Sequence, residues 1–125
     1  MTSRIQIKRV YDKAQTADGM RVLVDRLWPR GVAKEKAGID VWAKELAPSN
    51  ELRKWFHSHS DQYHEFTIRY RVELEERLPE LQERIAELSQ PRLTLVTSVK
   101  EPERSHVPIL QRFLLAQFLI EPIAF

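Results

Sequence analysis

The chain has 125 residues, no cysteine, 42% hydrophobic and 30% charged residues, and a formal net charge of +2. That length suits one domain, 1–125, with a core of its own; the lack of cysteine excludes disulfides, thiolate metal ligands and a cysteine nucleophile. No apolar run approaches the ~18 residues that span a bilayer, and the N-terminus has no apolar leader, so a cytoplasmic protein without membrane attachment is expected.

The charge is unevenly spread. Residues 1–60 carry twelve Lys or Arg against seven Asp or Glu, whereas residues 61–90 carry four against eight. The basic excess near the N-terminal half favours a small anionic partner there, and the balanced total argues against general nucleic-acid binding.

In chain order, Ile5 to Val10 alternates apolar and polar residues and predicts a strand. Ala17-Asp18-Gly19 is turn chemistry. Residues 20–28 predict the second strand: Val22, Leu23 and Val24 are apolar on both faces, as in a covered central strand, and the run exits into Asp25, Arg26, Trp28 and Arg30 before Gly31. Residues 32–38 allow two helical turns at most. Residues 39–42 read equally as a short strand or as the entry to a helix through Leu46.

Ser49 predicts an N-cap for a short helix whose apolar face is Leu52, Trp55 and Phe56, ending near His57. Ser60 or Asp61 is the expected cap of the next helix. The stripe of Tyr63, Phe66, Tyr70, Leu74, Leu78, Leu81, Ile85 and Leu88 is helical in period, and Pro79 predicts two helices or a sharp kink. Leu93 to Val99 is the third clear strand, exiting into Lys100 and Glu101. Ser105 caps a last helix with a wide apolar face, followed by an apolar tail that docks on the body or contacts a second copy.

Strands separated by helices predict an α/β fold: a mostly parallel central sheet, with strands near 5–10, 20–28 and 93–99, and helices on both faces. Ligands of such sheets bind outside the carboxyl ends of the strands, so Arg9, Tyr11, Asp25, Arg26, Arg30 and Lys100 are expected at one rim.

The string Val24-Asp-Arg-Leu-Trp-Pro-Arg-Gly31 resembles the YeaO-like branch of the domain-of-unknown-function family 488 (DUF488). The likeness extends through residues 8–12, 42–49, 52–56, Phe66, Arg69, Tyr70 and the strand 93–99. It implies a small bacterial-type cytosolic α/β domain and assigns no reaction. The family pattern after the third strand, Asp-Glu-Glu-His-Asn-His, is here Glu101-Pro102-Glu103-Arg104-Ser105-His106. Only its final histidine is kept, which removes the basis for a paired-histidine role.

The site residues follow from these exits. Arg9, Arg26, Arg30, Lys44 and Lys100 are the expected anion-binding cations, with Tyr11 and Trp28 beside them; Asp25 and His57 are the proton-transfer candidates. The alternative for Asp25 and Arg26 is a structural ion pair with Arg9, Arg30 or Lys44. Arg30-Gly31 is either the start of an anion-binding nest or an ordinary turn. No glycine-rich nucleotide fingerprint, His-Glu-x-x-His spacing or nucleophile elbow occurs, so no cofactor and no metal are expected. The competing functional reading is a non-catalytic module that docks an acidic protein surface or single-stranded nucleic acid; a homo-oligomer built on the C-terminal helix and tail is a third.

Overall fold

The computed structural model describes residues 4–120. Four strands, β1 (Ile5–Arg9), β2 (Met20–Leu23), β3 (Val41–Trp42) and β4 (Leu93–Thr97), form one sheet in the order β1-β4-β2-β3, parallel at every pairing. The helices are α1 (Asn50–Ser58), α2 (Tyr63–Glu76), α3 (Leu78–Glu87) and α4 (His106–Ile120). This is the α/β architecture with a parallel sheet that the alternation of strand and helix patterns predicts.

β4 lies between β1 and β2, and all five of its residues are buried. Its register sets Ile5 and Met20 beside Leu93, and Ile7 and Val22 beside Leu95. Because side chains alternate along a strand, these residues share one face. Ile5, Val22, Leu93 and Leu95 join one apolar cluster with Leu52 of α1, Phe66, Tyr70 and Leu74 of α2, Leu81 and Ile85 of α3, and Leu110 and Phe113 of α4. Burying each such side chain stabilises the fold by ~1.5–3 kcal/mol before chain entropy is counted.

The opposite face is built differently. Arg21, beside Thr94 in the register, is buried there with Leu23 and Val96. Its guanidinium donates to Asp18 Oδ2 at 2.7 Å and to the Gly38 carbonyl at 2.9 Å. Asp18, only 2% exposed, also accepts from Lys8 Nζ at 3.1 Å, and its carbonyl accepts from Thr94 Oγ1 at 2.7 Å. Asp18 ends the short 3-10 turn Thr16–Asp18; Gly38 closely follows a second, Lys34–Lys36. Helical segments thus lie against both faces: the α-helices pack on the first, and the buried polar groups of the second meet 3-10 turns. Gly19 is required between Asp18 and β2: its φ is +65°, and a Cβ there would sit 2.4 Å from the Arg92 carbonyl oxygen.

Ser49 caps α1 by accepting from the Leu52 amide at 3.1 Å, as its position predicts. The cap of α2 is Gln62 rather than Ser60 or Asp61, and it makes no side-chain bond. The long stripe does break into two helices. The break falls at Arg77, so that Pro79 occupies the first turn of α3, where a missing amide hydrogen costs no helical bond. Residues 39–46 combine both readings: β3, then a 3-10 turn over Lys44–Leu46. The second strand ends at Leu23, well short of residue 28. Val24 still donates its amide to Val96, after which the Asp25 side chain takes over the bonds that a longer ladder would have made. Leu27 consequently swings into solvent, 63% exposed. The apolar tail expected to dock or dimerise, residues 121–125, lies outside the described residues.

Burial alone would raise the Asp18 carboxyl, but the Gln15 amide and the Lys8 and Arg21 side chains outweigh it and hold the group below its ordinary value of 3.8. A depressed carboxylate adds stability that is complete above its unfolded pKa and is lost as the pH falls below about 4. Asp18→Asn should therefore lower the unfolding free energy at neutral pH by ~3 kcal/mol, because Arg21 is left buried and uncompensated. In urea titrations the gap between variant and wild type should narrow when the pH is taken from 7 to 3.

Candidate functional site

The parallel sheet delivers the ends of β1, β2 and β4 to one rim, and Asp25 joins two of them. Its Oδ1 accepts from Thr97 Oγ1 at 2.7 Å, and its Oδ2 accepts from the Ser98 amide at 2.8 Å and the Ser98 hydroxyl at 3.0 Å. Its backbone carbonyl accepts from Trp42 Nε1 at 2.8 Å, which fixes the start of the segment after β3. Arg9 reaches the same place from β1, donating to the carbonyls of Val99 at 2.9 Å and Ser98 at 3.3 Å. Residues far apart in sequence therefore do meet at the strand ends. The Asp25 carboxylate, however, is held by β4 and its exit rather than by Arg9, Arg30 or Lys44.

His106, the first residue of α4, closes this arrangement from below. Its Nε2 lies 2.9 Å from the Val24 carbonyl oxygen and 3.6 Å from Asp25 Oδ1, and its ring stands edge-on to Tyr70. Burial pushes the imidazole below its usual value, against the opposing pull of Asp25 and of the Val24 carbonyl. Tyr70, fully buried, donates to the Leu46 carbonyl and so ties α2 to the loop before α1.

Beside Asp25 opens a cleft of about 520 Å³. Leu27, Trp28, Pro29, Pro48, Phe56 and Phe66 give it apolar walls. Phe56 and Phe66 stack with ring centroids 4.1 Å apart, and Trp28 stands edge-on to Trp42 at 5.4 Å. Its cations are Arg26, Arg30, Arg53 and Arg104; its carboxylates are Asp25 and Glu101. Among the described residues none of these four arginines forms an ion pair, whereas Arg69, Arg71, Arg77 and Arg84 each have a glutamate partner. Arg26 donates to the Pro48 carbonyl at 3.1 Å, and Arg104 donates to that of Ser60 at 3.2 Å. The side chains of Arg30 and Arg53 are exposed and donate no hydrogen bond among the described residues.

Of the residues expected from the sequence, Asp25, Arg26, Trp28, Arg30 and His57 line this cleft. Arg9, Tyr11, Lys44 and Lys100 do not. Arg9 lies over the Tyr11 ring at 5.0 Å, Lys44 sits over Trp42 at 5.0 Å, and Lys100 is exposed. Ser98 and Glu101, released by the third strand, also line it, whereas Arg53, Arg104 and His106 are cleft residues that the strand-exit argument missed. His106 had a signal, as the one histidine kept from the family pattern. Gly31 has a φ of +74° with open space around it, and Arg30 and Gly31 form a turn. No group of three or more metal-ligating side chains occurs among the described residues.

The family model described as the inactive DUF488-N3 subclade matches residues 4–122. The chain belongs to the DUF488 family. Within it, the chain is 44% identical over 111 residues to the uncharacterized protein YeaO of Escherichia coli (strain K12), covering 88% of this chain and 96% of that one. It is 38% identical over 114 residues to the uncharacterized proteins Rv3073c of Mycobacterium tuberculosis (strain H37Rv) and Mb3100c of Mycobacterium bovis, covering 90% of this chain and 94% of each. The DUF488 assignment thus spans the sheet, the helices and every residue of the cleft. No solved structure matches the chain significantly. No helix among the described residues is long and apolar enough to cross a membrane.

Removing the Asp25 carboxylate orphans a buried Thr97 hydroxyl and the Ser98 amide. Each unsatisfied buried donor costs ~1–3 kcal/mol. Asp25→Ala should lower Tm markedly and speed hydrogen exchange at the Ser98 amide relative to amides within β1, which mass spectrometry of deuterated fragments would detect.

Proposed function

We propose that the cleft at the strand ends binds a small anionic, phosphate-bearing molecule. The observation that carries this reading is the set of four arginines around one concavity, none of them in an ion pair among the described residues, whereas Arg69, Arg71, Arg77 and Arg84 along α2 and α3 all have a glutamate partner. Two of the four, Arg30 and Arg53, have guanidinium groups uncommitted among the described residues, and such planar forks suit phosphate oxygens. Apolar walls around a few charged groups are the usual composition of a small-molecule site, and the volume lies within the usual ~300–1,000 Å³.

Binding without turnover is the reading that the neighbouring groups favour. Asp25 gives its lone pairs to Thr97 and Ser98, so it serves as a positioning carboxylate that fixes the rim rather than as a base. His57, exposed on the cleft wall, remains the candidate for proton transfer. The description of the matching subclade as inactive points the same way. The alternative, docking an acidic surface or single-stranded nucleic acid, calls for presented aromatic faces. Trp28 and Trp42 instead pack on each other and donate their indole N–H groups to the carbonyls of Val32 and Asp25.

Isothermal titration at low salt with inorganic phosphate, n-pentyl phosphate and ribose 5-phosphate tests the proposal. At least one phosphate ester should bind, and Arg30→Ala and Arg53→Ala should each weaken it by about tenfold, the usual worth of one charge-assisted hydrogen bond. Both residues are exposed, so neither change should shift Tm. Binding unaffected by the double variant, or no binding of any probe at millimolar concentration, refutes the reading.

A further inference from the structure

His106 has a second ring nitrogen, and its surroundings define what that nitrogen can do. A carbonyl oxygen only accepts, so the 2.9 Å contact with Val24 requires the hydrogen of the neutral ring to sit on Nε2. Nδ1 is then a bare acceptor. It makes no hydrogen bond, yet no fully buried side-chain nitrogen or oxygen among the described residues lacks a partner. Nδ1 is therefore not completely sealed off, on a residue only 9% exposed that lines the cleft. The cleft that His106 lines carries four guanidinium groups and apolar walls, with the carboxylates of Asp25 and Glu101. The imidazole is held in place by the Val24 carbonyl, the Asp25 carboxylate and the Tyr70 ring at its edge, which leaves Nδ1 as its unused acceptor.

An acceptor so placed discriminates. A ligand that brings an O–H or N–H group to Nδ1 replaces the water it displaces. A ligand with only methylene groups there strands a desolvated acceptor, and a site built around such a group rejects the analogue that lacks its partner. The cleft volume, far larger than a phosphate ion needs, leaves room for a body that carries the donor.

Resting on the anion reading of the cleft, we propose that His106 is its specificity-determining residue: Nδ1 accepts a hydrogen bond from the ligand, whose class is a phosphate monoester of a hydroxylated body rather than an alkyl phosphate or free phosphate. The arginines supply affinity for the phosphoryl group, and His106 reads what the group is attached to. The apolar walls work against this preference, since on burial alone they would favour an alkyl chain.

The decisive comparison is ribose 5-phosphate against n-pentyl phosphate, two five-carbon monoesters that differ in hydroxyl groups, measured by calorimetry on the full chain. Wild type should bind ribose 5-phosphate at least about tenfold more tightly, a modest share of what a dedicated acceptor can achieve. His106→Phe, which keeps a ring but removes both the Nδ1 acceptor and the Nε2–H donor to Val24, should abolish that preference, with n-pentyl phosphate losing less affinity than ribose 5-phosphate. Should that variant fail to fold, ring nitrogen resonances of wild-type His106 replace it: Nδ1 should shift on adding ribose 5-phosphate and stay put with n-pentyl phosphate. Equal binding of both esters by wild type overturns the role of His106 and leaves the anion site standing. Loss of both esters in a folded His106→Phe makes the histidine a wall support and overturns the selection. Failure of both esters to bind wild type overturns the anion reading and this one with it.

Discussion

The carboxylate of Asp25 is the fastener of the molecule's functional end. Parallel strands make regular bonds only along their shared length, and β2 runs out of partner at Val24. Beyond that point the sheet would splay, because nothing in backbone pairing holds the exit of β2 to that of β4. Asp25 bridges the gap with three hydrogen bonds to consecutive residues, and His106 sits under the same carboxylate. The chain after β2 is then free to turn outward, carrying Arg26, Trp28 and Arg30 to the cleft. Arg26 in turn hooks the Pro48 carbonyl, which fixes where α1 begins and so where Arg53 and His57 stand. One short side chain thus decides the position of a wall more than twenty residues away.

Charge is managed in two ways in this chain. Along α2 and α3, arginines meet glutamates one turn away or across a loop, and such exposed pairs stabilise little individually. At the strand ends, guanidinium groups converge without forming ion pairs among the described residues and several are restrained by carbonyl oxygens, which orient a cation without cancelling it. Arg9, Arg26 and Arg104 all follow that pattern. Restraint by carbonyls keeps the field while lowering the entropy that a binding event would otherwise have to remove.

Much of the fold was legible in the residues. Period-two and helical stripes located β1, β4, α1 and the two-helix layer, Ser49 announced its cap, and Pro79 announced the break. These are local signals, set by neighbours within one or two turns. The end of β2 was not legible, because Leu27 and Trp28 look like a continuing strand until Asp25 is known to bond Thr97 and Ser98. The candidate site was half legible for the same reason. A strand exit indicates the rim but not the side on which a side chain leaves it, so Lys100 and Tyr11 fall outside the cleft while Arg26 and Arg30 fall within. Arg53 and Arg104 carry no pattern of their own. They enter through the packing of α1 and of the 102–104 turn, and packing between elements is what periodicity does not encode.

The unlike coverings of the two sheet faces bear on how this sequence is free to drift. Behind β4 on the helical side, Leu, Ile and Val can exchange places so long as total volume is kept, since apolar packing is not directional. On the other side, Asp18, Arg21 and Lys8 answer to one another and to named carbonyls, and a change in any one leaves a charge stranded in the dark. Descendants of this chain should therefore diverge lopsidedly, with the greasy layer shuffling its residues while the small polar clasp behind the sheet passes through generations nearly untouched.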